Sequence, residues 1–76
     1  MADGRRARDL PPRRVIRALV KLGFEVHHVE GSHYHLRHAD GRRLVIPYHQ
    51  PVKVGLILDS LKRVGAAWAD FEEALA

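Results

Sequence analysis

The sequence contains no cysteine among its 76 residues, so it can form neither a disulfide framework nor a zinc site with thiolate ligands. It has no apolar run near the ~18 residues that a membrane span requires, and no apolar stretch follows its arginine-rich N-terminus. Internal repeats and low-complexity tracts are also absent. We therefore expect a single domain in the cytoplasm, with neither a membrane span nor a secretory signal.

Aromatic side chains are scarce, with one Trp, two Tyr and two Phe. Only Tyr48 is placed to stack on a base, which argues against a module that does nothing but bind single strands. Basic residues are in excess: thirteen Lys and Arg oppose nine Asp and Glu for a formal charge of +4, and six His add to it below a pH of about 6.5. Such a domain suits nucleic acid, an acidic protein or an anionic membrane surface, and charge alone does not choose among them.

Apolar residues at helical spacing predict three helices. The first covers about residues 12–22, begins at a pair of prolines and ends at Gly23. The second runs from about residue 53 to residue 64, and a short third helix covers 68–75. The residues predicted to face inwards are Val15, Ile16, Leu19 and Val20 in the first helix, Val54, Ile57, Leu58, Leu61 and Val64 in the second, and Trp68, Phe71 and Leu75 in the third, whereas Ala18 is predicted to face outwards.

Three strands are predicted between the first two helices, at residues 24–30, 33–38 and 43–47. Gly31-Ser32 forms the first turn, and Asp40-Gly41 is the strongest signal for a second hairpin. Because both connections are short, the strands should form an antiparallel meander. A sheet this small must cover one face with both helices to build a core, which leaves the opposite face open to solvent.

The first strand does not alternate cleanly. Val29 is out of phase with Phe24 and Val26, which either a β-bulge near His27-His28 or a two-sided strand would explain. The elements predict an α+β fold of the order α-β-β-β-α, with a three-stranded antiparallel sheet, helices packed on one face and a short extra C-terminal helix. This domain covers residues 10–76 and follows a flexible basic tail at residues 1–9.

The chemistry of the chain centres on the stretch from Gly31 to Leu36. Strand alternation places His33, His35 and Arg37 together on the open face. A neutral imidazole at His33 can remove the proton of an RNA 2′-hydroxyl, which then attacks the neighbouring phosphorus. Gly31 lets the backbone approach that phosphate, and the Ser32 hydroxyl can donate to it. An ordinary surface histidine after a Gly-Ser turn is the alternative.

Cleavage of this kind also needs an acid that protonates the leaving 5′-oxygen. His49, two residues past the third strand, is the first candidate, and His35 is the second. Four cations are expected to bind phosphate around the site, with a solvated charged face as the alternative: Arg37, Arg42, Arg43 and Lys53.

Four further positions raise the question of a metal site, namely His27, His28, His35 and His38. Neighbouring strands could bring such histidines together, and His33 and His35 could chelate from one strand face. However, no carboxylate is spaced to complete a ligand set. We therefore expect no metal and no other cofactor.

Several short motifs, in this order and spacing, resemble the HicA toxins: Leu19-x-x-x-Gly23-Phe24, Gly31-Ser32-His33, Asp40-Gly41-Arg42, Pro47-x-His49 and Leu61-Lys62-x-x-Gly65. The resemblance covers about residues 11–75. It implies a fold like that of double-stranded-RNA-binding domains and a ribonuclease that cleaves mRNA without the ribosome, with His33 as the catalytic histidine. It also implies a HicB-type antitoxin that binds the toxin and blocks the site. One departure is Gly55-Leu56-Ile57, where members usually carry Gly-Thr-Leu.

The sequence thus predicts a metal-independent endoribonuclease toxin that acts on mRNA or other single-stranded RNA. A non-catalytic RNA-binding module on the same fold is the main alternative. A third is a protein-interaction domain whose basic face meets an acidic partner. The oligomeric state is not determined by the sequence, and a weak homodimer stays open.

Overall fold

A helix, three strands and two further helices follow one another in the computed structural model, which describes residues 8–76. They are α1 (Pro12–Lys21), β1 (Phe24–Glu30), β2 (His33–His38), β3 (Arg43–Pro47), α2 (Val54–Arg63) and α3 (Trp68–Leu75). The strands form one antiparallel sheet of order β1-β2-β3. The predicted α-β-β-β-α order with an extra C-terminal helix is confirmed. No helix within the described residues is long and apolar enough to cross a membrane.

A β-bulge at His27 interrupts β1, because the pairing with β2 shifts by one residue at that point. Before the bulge Val26 pairs with Leu36, and after it Val29 pairs with Tyr34. Since Tyr34 and Leu36 are two residues apart on β2, both valines lie on the same face of the sheet. Of the two explanations for the irregular pattern of β1, the bulge is confirmed.

The core lies between one face of the sheet and the helices. Every helix and every strand contributes buried apolar side chains to it, and burial of a large one stabilises the fold by about 1.5–3 kcal/mol relative to exposure. The largest fully buried side chains include Val15 and Leu19 of α1, Leu36 of β2, Ile46 of β3, Ile57 of α2 and Phe71 of α3. The third helix is therefore part of the core, since Phe71 is completely buried.

The predicted inward faces of the first two helices need correction. In α1, Ala18 is completely buried and Val20 is 48% exposed, the reverse of the prediction. The reason is α3, whose C-terminal end receives hydrogen bonds from Arg14 and Lys21 of α1. Ala18 lies on the same helical stripe as those two residues and is covered by α3. The short side chain of alanine lets the two helices approach closely.

In α2, Leu58 is 42% exposed although it was predicted to face inwards, while Ser60 is buried. The buried arc of this helix is centred on Ile57, Leu61 and Val64 and extends on the Ser60 side. Hydrophobic spacing alone does not define which edge of a stripe is covered, because that depends on where the neighbouring strand lies.

The segment before α1 is tied to the loop before α2. Leu10 and Val52 exchange two backbone hydrogen bonds, of 3.1 and 2.7 Å. The Asp9 carboxylate accepts a 2.7 Å hydrogen bond from the Val54 amide, at the first residue of α2. Asp9 thus satisfies one of the free N–H groups of this helix. Residues 1–7 of the predicted tail lie outside the described residues.

Candidate functional site

The open face of the sheet, which the helices leave uncovered, presents side chains in three rows across the strands. The strand register defines these rows as Glu30–His33–Pro47, His28–His35–Val45 and Glu25–Arg37–Arg43. His33, His35 and Arg37 therefore share one face, two residues apart along β2. His33 and Arg37 are exposed, and His35 is half-buried.

The turn before His33 is a two-residue hairpin loop, Gly31-Ser32, between β1 and β2. Gly31 has a φ of +61°, and Ser32 does not have a positive φ. A positive φ at the first loop position alone is the signature of a type II′ turn, which favours glycine there. A Cβ atom on Gly31 would meet no atom within 4 Å, so the backbone conformation and not space requires glycine.

The loop after β3 is held against this turn. The amide of Tyr48 donates a 2.6 Å hydrogen bond to the carbonyl of Ser32. The Tyr48 ring stacks on Tyr34 with 4.6 Å between the ring centroids, so one of its faces is already occupied. His33 pairs with Pro47, and His49 follows two residues later. Both exposed histidines therefore lie at the same end of the sheet, beside Gly31-Ser32.

Two further histidines of the open face, His28 and His35, lie in the middle row. The rings of His28 and His35 are 5.3 Å apart, and His28 Nε2 lies 3.6 Å from a Glu30 carboxylate oxygen. His38 lies on the opposite face, edge-on to Phe24 at 5.1 Å between ring centroids. Within residues 8–76 there is no group of three His, Asp or Glu side chains that could hold a metal ion.

Two arginines stand opposite each other on the open face. Arg37 and Arg43 are register partners on β2 and β3, and both are exposed. In the part of the chain that the structure describes, neither lies within ion-pair distance of a carboxylate. Like charges directly opposite on neighbouring strands are unfavourable, so an anion bound between these guanidinium groups would stabilise the pair.

Arg42 is not brought to this face. Its Nε donates a 2.8 Å hydrogen bond to Asp40, and its Nη1 donates another of 2.8 Å to the carbonyl of Val64. The guanidinium carbon also lies 5.4 Å from the centre of the Phe24 ring. These contacts tie the second hairpin to the end of α2. Lys53, just before α2, is exposed and lies 3.7 Å from the Asp9 carboxylate.

The same turn stabilises the ionised form of the Asp40 carboxyl group. The backbone N–H of Arg42 donates to its carboxylate at 3.0 Å, and this bond does most to lower the pKa of Asp40 below the usual value. The Arg42 guanidinium and His38 act in the same direction, whereas desolvation opposes them. Asp40 therefore stays ionised as a structural group, remote from the open end of the sheet where His33 lies.

A cleft of about 310 Å³ lies beside the edge strand β3 and is lined by residues of α2 and by residues from both faces of the sheet. We call it the α2 cleft; its sheet side is formed by the core residues Leu36 and Leu44 together with His27, His35, Arg37, Arg43 and Val45, and its helix side by Leu56, Asp59, Ser60 and Arg63. The side chains that α2 contributes to this cleft were not predicted from the sequence. The available signal was a second helical stripe, Leu56–Ser60–Arg63, beside the apolar one.

The fold and the site define a small basic α+β domain that presents histidine and arginine side chains on an open sheet. A family model described as the HicA toxin of bacterial toxin–antitoxin matches residues 12–66, from the start of α1 to just beyond α2. The chain therefore belongs to the HicA family of toxins of toxin–antitoxin systems, as its motifs predict. A search of curated proteins found no match. The third helix lies beyond the matched segment.

Proposed function

We propose that this toxin is an endoribonuclease that cleaves mRNA and is neutralised by a HicB-type antitoxin. Family membership supports the toxin role. The observation that carries the proposed activity is the pair of exposed histidines, His33 and His49, at one end of the sheet. The Tyr48–Ser32 hydrogen bond holds that end together. An acid and a base near one phosphate are what RNA cleavage through the 2′-hydroxyl requires.

In the proposed reaction, neutral His33 accepts the proton of a 2′-hydroxyl, and the 2′-oxygen attacks the adjacent phosphorus. The bond from phosphorus to the 5′-oxygen breaks, and protonated His49 gives its proton to the leaving oxygen. The products are a 2′,3′-cyclic phosphate and a 5′-hydroxyl. Because the nucleophile belongs to the substrate, the scheme requires no metal. His35 is the alternative acid, since it neighbours His33 on the open face.

In this scheme, the Gly31-Ser32 turn and the cations around the site bind the phosphates. Gly31 keeps side-chain atoms away from the phosphate, and the Ser32 hydroxyl donates to it. Arg37 and Arg43 attract the strand along the open face. Lys53, exposed just before α2, adds positive charge, although Asp9 partly balances it. Arg42 is left out, because its contacts with Asp40, Val64 and the Phe24 ring hold its guanidinium away from the open face.

The HicB-type antitoxin of this proposal neutralises the toxin by covering the open face at His33, so antitoxin and RNA compete for it. Action on mRNA places the activity in the cytoplasm. A complex saturated with antitoxin should accordingly bind RNA much more weakly than the free toxin.

The test is incubation of purified wild-type protein, His33→Ala and His49→Ala with a long single-stranded RNA in EDTA. We expect cleavage by the wild type, none by His33→Ala and at least tenfold slower cleavage by His49→Ala, since general acid–base groups contribute about 10²–10⁴-fold each. His28→Ala is the matched control, because it removes another exposed histidine of the open face.

Equal cleavage by the wild type and His33→Ala would overturn the proposal, and so would cleavage that EDTA abolishes. If neither protein cleaves but both bind RNA, the non-catalytic RNA-binding module becomes the better explanation. The free pair Arg37 and Arg43 is the feature that would support that alternative.

A further inference from the structure

We infer that the α2 cleft is a binding site for one nucleotide of single-stranded RNA, separate from the His33 end of the sheet. Its biological role rests on the proposed function, because it would help to decide which sequences are cut. Its binding activity can be tested without any cleavage. The inference depends on the charge, the apolar wall and the size of the cleft.

The charges that line the cleft suit a phosphate. Arg37 and Arg43 form one side and have no carboxylate partner among the described residues. Arg63 on the helix side is 3.2 Å from Asp59, the single acidic residue of the lining. A guanidinium has five N–H donors, so Arg63 keeps donors for a ligand. Two free guanidinium groups side by side match the oxygens of one phosphate.

The remaining walls suit a base. Val45 of the sheet, which is 41% exposed, and Leu56 of α2, which is half-buried, both line the cleft. Apolar side chains in a cleft favour the binding of a flat ring, because the ring is removed from water there. The half-buried imidazole of His35 provides a surface on which a base can stack.

The size of the cleft limits the ligand. Its volume of about 310 Å³ is at the low end of small-molecule sites, which span roughly 300–1,000 Å³. A cleft of this size holds about one nucleotide, and the rest of a longer strand would lie outside it. Arg37 follows His33 by four residues on β2, about 13 Å along the strand. One RNA strand can therefore reach both sites.

The cleft can also distinguish bases. Asp59 offers acceptor oxygens and Arg63 offers donors at the helix side. Base edges differ in their pattern of donors and acceptors, so such a pair favours some bases over others. The cleft would then set a preference at a position near the cleaved bond.

The experiment is an NMR titration of the full chain with each of the four nucleoside 5′-monophosphates, and with inorganic phosphate as a separate probe. We expect the nucleotides to shift the amide signals of Val45, Leu56 and Asp59 saturably and with different affinities. Inorganic phosphate should shift signals near Arg37 and Arg43 only.

Two substitutions on α2 make a matched pair. Leu56→Glu places a carboxylate in the cleft and should weaken nucleotide binding by about tenfold or more, through repulsion and loss of apolar contact. Leu58→Glu makes the same change at an exposed position of the helix and should leave binding unchanged. Arg43→Gln, at an exposed strand position, should also weaken binding and guards against misfolding of Leu56→Glu.

The inference fails if the nucleotides shift only the signals of Gly31 to His33, if inorganic phosphate reproduces every shift, or if Leu56→Glu and Leu58→Glu bind equally. His33→Ala separates the two proposals, because it should bind nucleotides normally. If the wild type binds nucleotides but cleaves no RNA, the proposed function is wrong and this inference still holds. If the wild type cleaves RNA but no nucleotide binds in the α2 cleft, this inference is wrong and the proposed function still holds.

Discussion

A single glycine sets how closely α1 joins β1. Gly23 has a φ of +102°, and a Cβ atom there would lie 2.5 Å from Nε2 of His38. His38 cannot easily move aside, since its ring packs against Phe24. At Gly23, a left-handed backbone conformation and a close side-chain contact both favour glycine, and the helix-ending position of Gly23 predicted only the first.

We expect Gly23→Ala to destabilise the fold by about 1–2 kcal/mol from the backbone conformation alone, and further through the clash with His38. Gly55→Ala is the control, because Gly55 lies in α2 and a Cβ there would meet no atom within 4 Å. That substitution should stabilise the protein by about 0.4–1 kcal/mol. Urea unfolding of both variants measures the difference, and equal effects would contradict this role of Gly23.

Asp40 makes the stability of the second hairpin depend on pH. Its pKa is lowered from the usual 3.8, chiefly by the backbone N–H of Arg42. A group with a lowered pKa in the folded state stabilises the fold above its unfolded pKa. That contribution is lost as pH falls through 3.8 towards the lower value in the folded protein.

The melting temperature of Asp40→Asn should accordingly fall less than that of the wild type between pH 5.5 and pH 3, by thermal denaturation. Arg42→Gln keeps the backbone donor, so it should retain part of the wild-type dependence even though its overall stability is lower. A wild-type slope in Asp40→Asn would show that another carboxyl group causes the acid sensitivity.

At the scale of elements, the beginning of α2 depends on a residue 45 positions earlier. The Asp9 carboxylate accepts the Val54 amide at 2.7 Å, and no side chain within the helix caps its N-terminus. The start of α2, which contributes Leu56 to the α2 cleft, is therefore held by the N-terminal segment.

Asp9→Ala should destabilise the protein by about 1 kcal/mol, within the range of about 0.5–2 for lost caps. Asp9→Asn should lose little, because asparagine caps helices about as well as aspartate. Chemical denaturation measures both. If the two variants lose the same stability, the ion pair of Asp9 with Lys53 matters more than the cap.

The elements that the sequence predicted well are those with local causes. The ends of the strands follow from Gly31-Ser32 and Asp40-Gly41, whose turn chemistry depends on adjacent residues alone. The buried faces of the helices do not follow from adjacent residues, since Ala18 is buried because α3 covers it. The same distinction holds for the candidate site. Alternation predicted the common face of His33 and its neighbours along β2, whereas the α2 cleft requires the packing of a distant helix.

Arg42 illustrates a limit of sequence reasoning about charge. Its position next to a hairpin turn made it a plausible phosphate binder, but its contacts with Asp40, the end of α2 and the Phe24 ring hold its guanidinium away from the open face. Arg43, one residue later, lies on the open face. Neighbouring residues on a strand point to opposite faces, so one step of register separates a structural arginine from a free one.

At the scale of the whole molecule, the formal charge of +4 attracts RNA in general, and the open face should attract it in particular. The salt dependence of binding separates these contributions. Each phosphate contact on a single strand adds about 0.7 to the slope of log affinity against log salt. Loss of charge elsewhere on the surface should change the slope far less, because exposed charges beyond about 10 Å are screened.

We therefore expect Arg37→Gln combined with Arg43→Gln, in a His33→Ala background that prevents cleavage, to lower that slope by about 1.4. The control combines Arg13→Gln with Arg17→Gln on the exposed side of α1, which removes the same net charge away from the sheet. Fluorescence anisotropy with a single-stranded RNA at several salt concentrations measures both slopes. If the two double variants lower the slope equally, RNA is held by the overall charge of the molecule, and the paired arginines of the open face have no special part in binding.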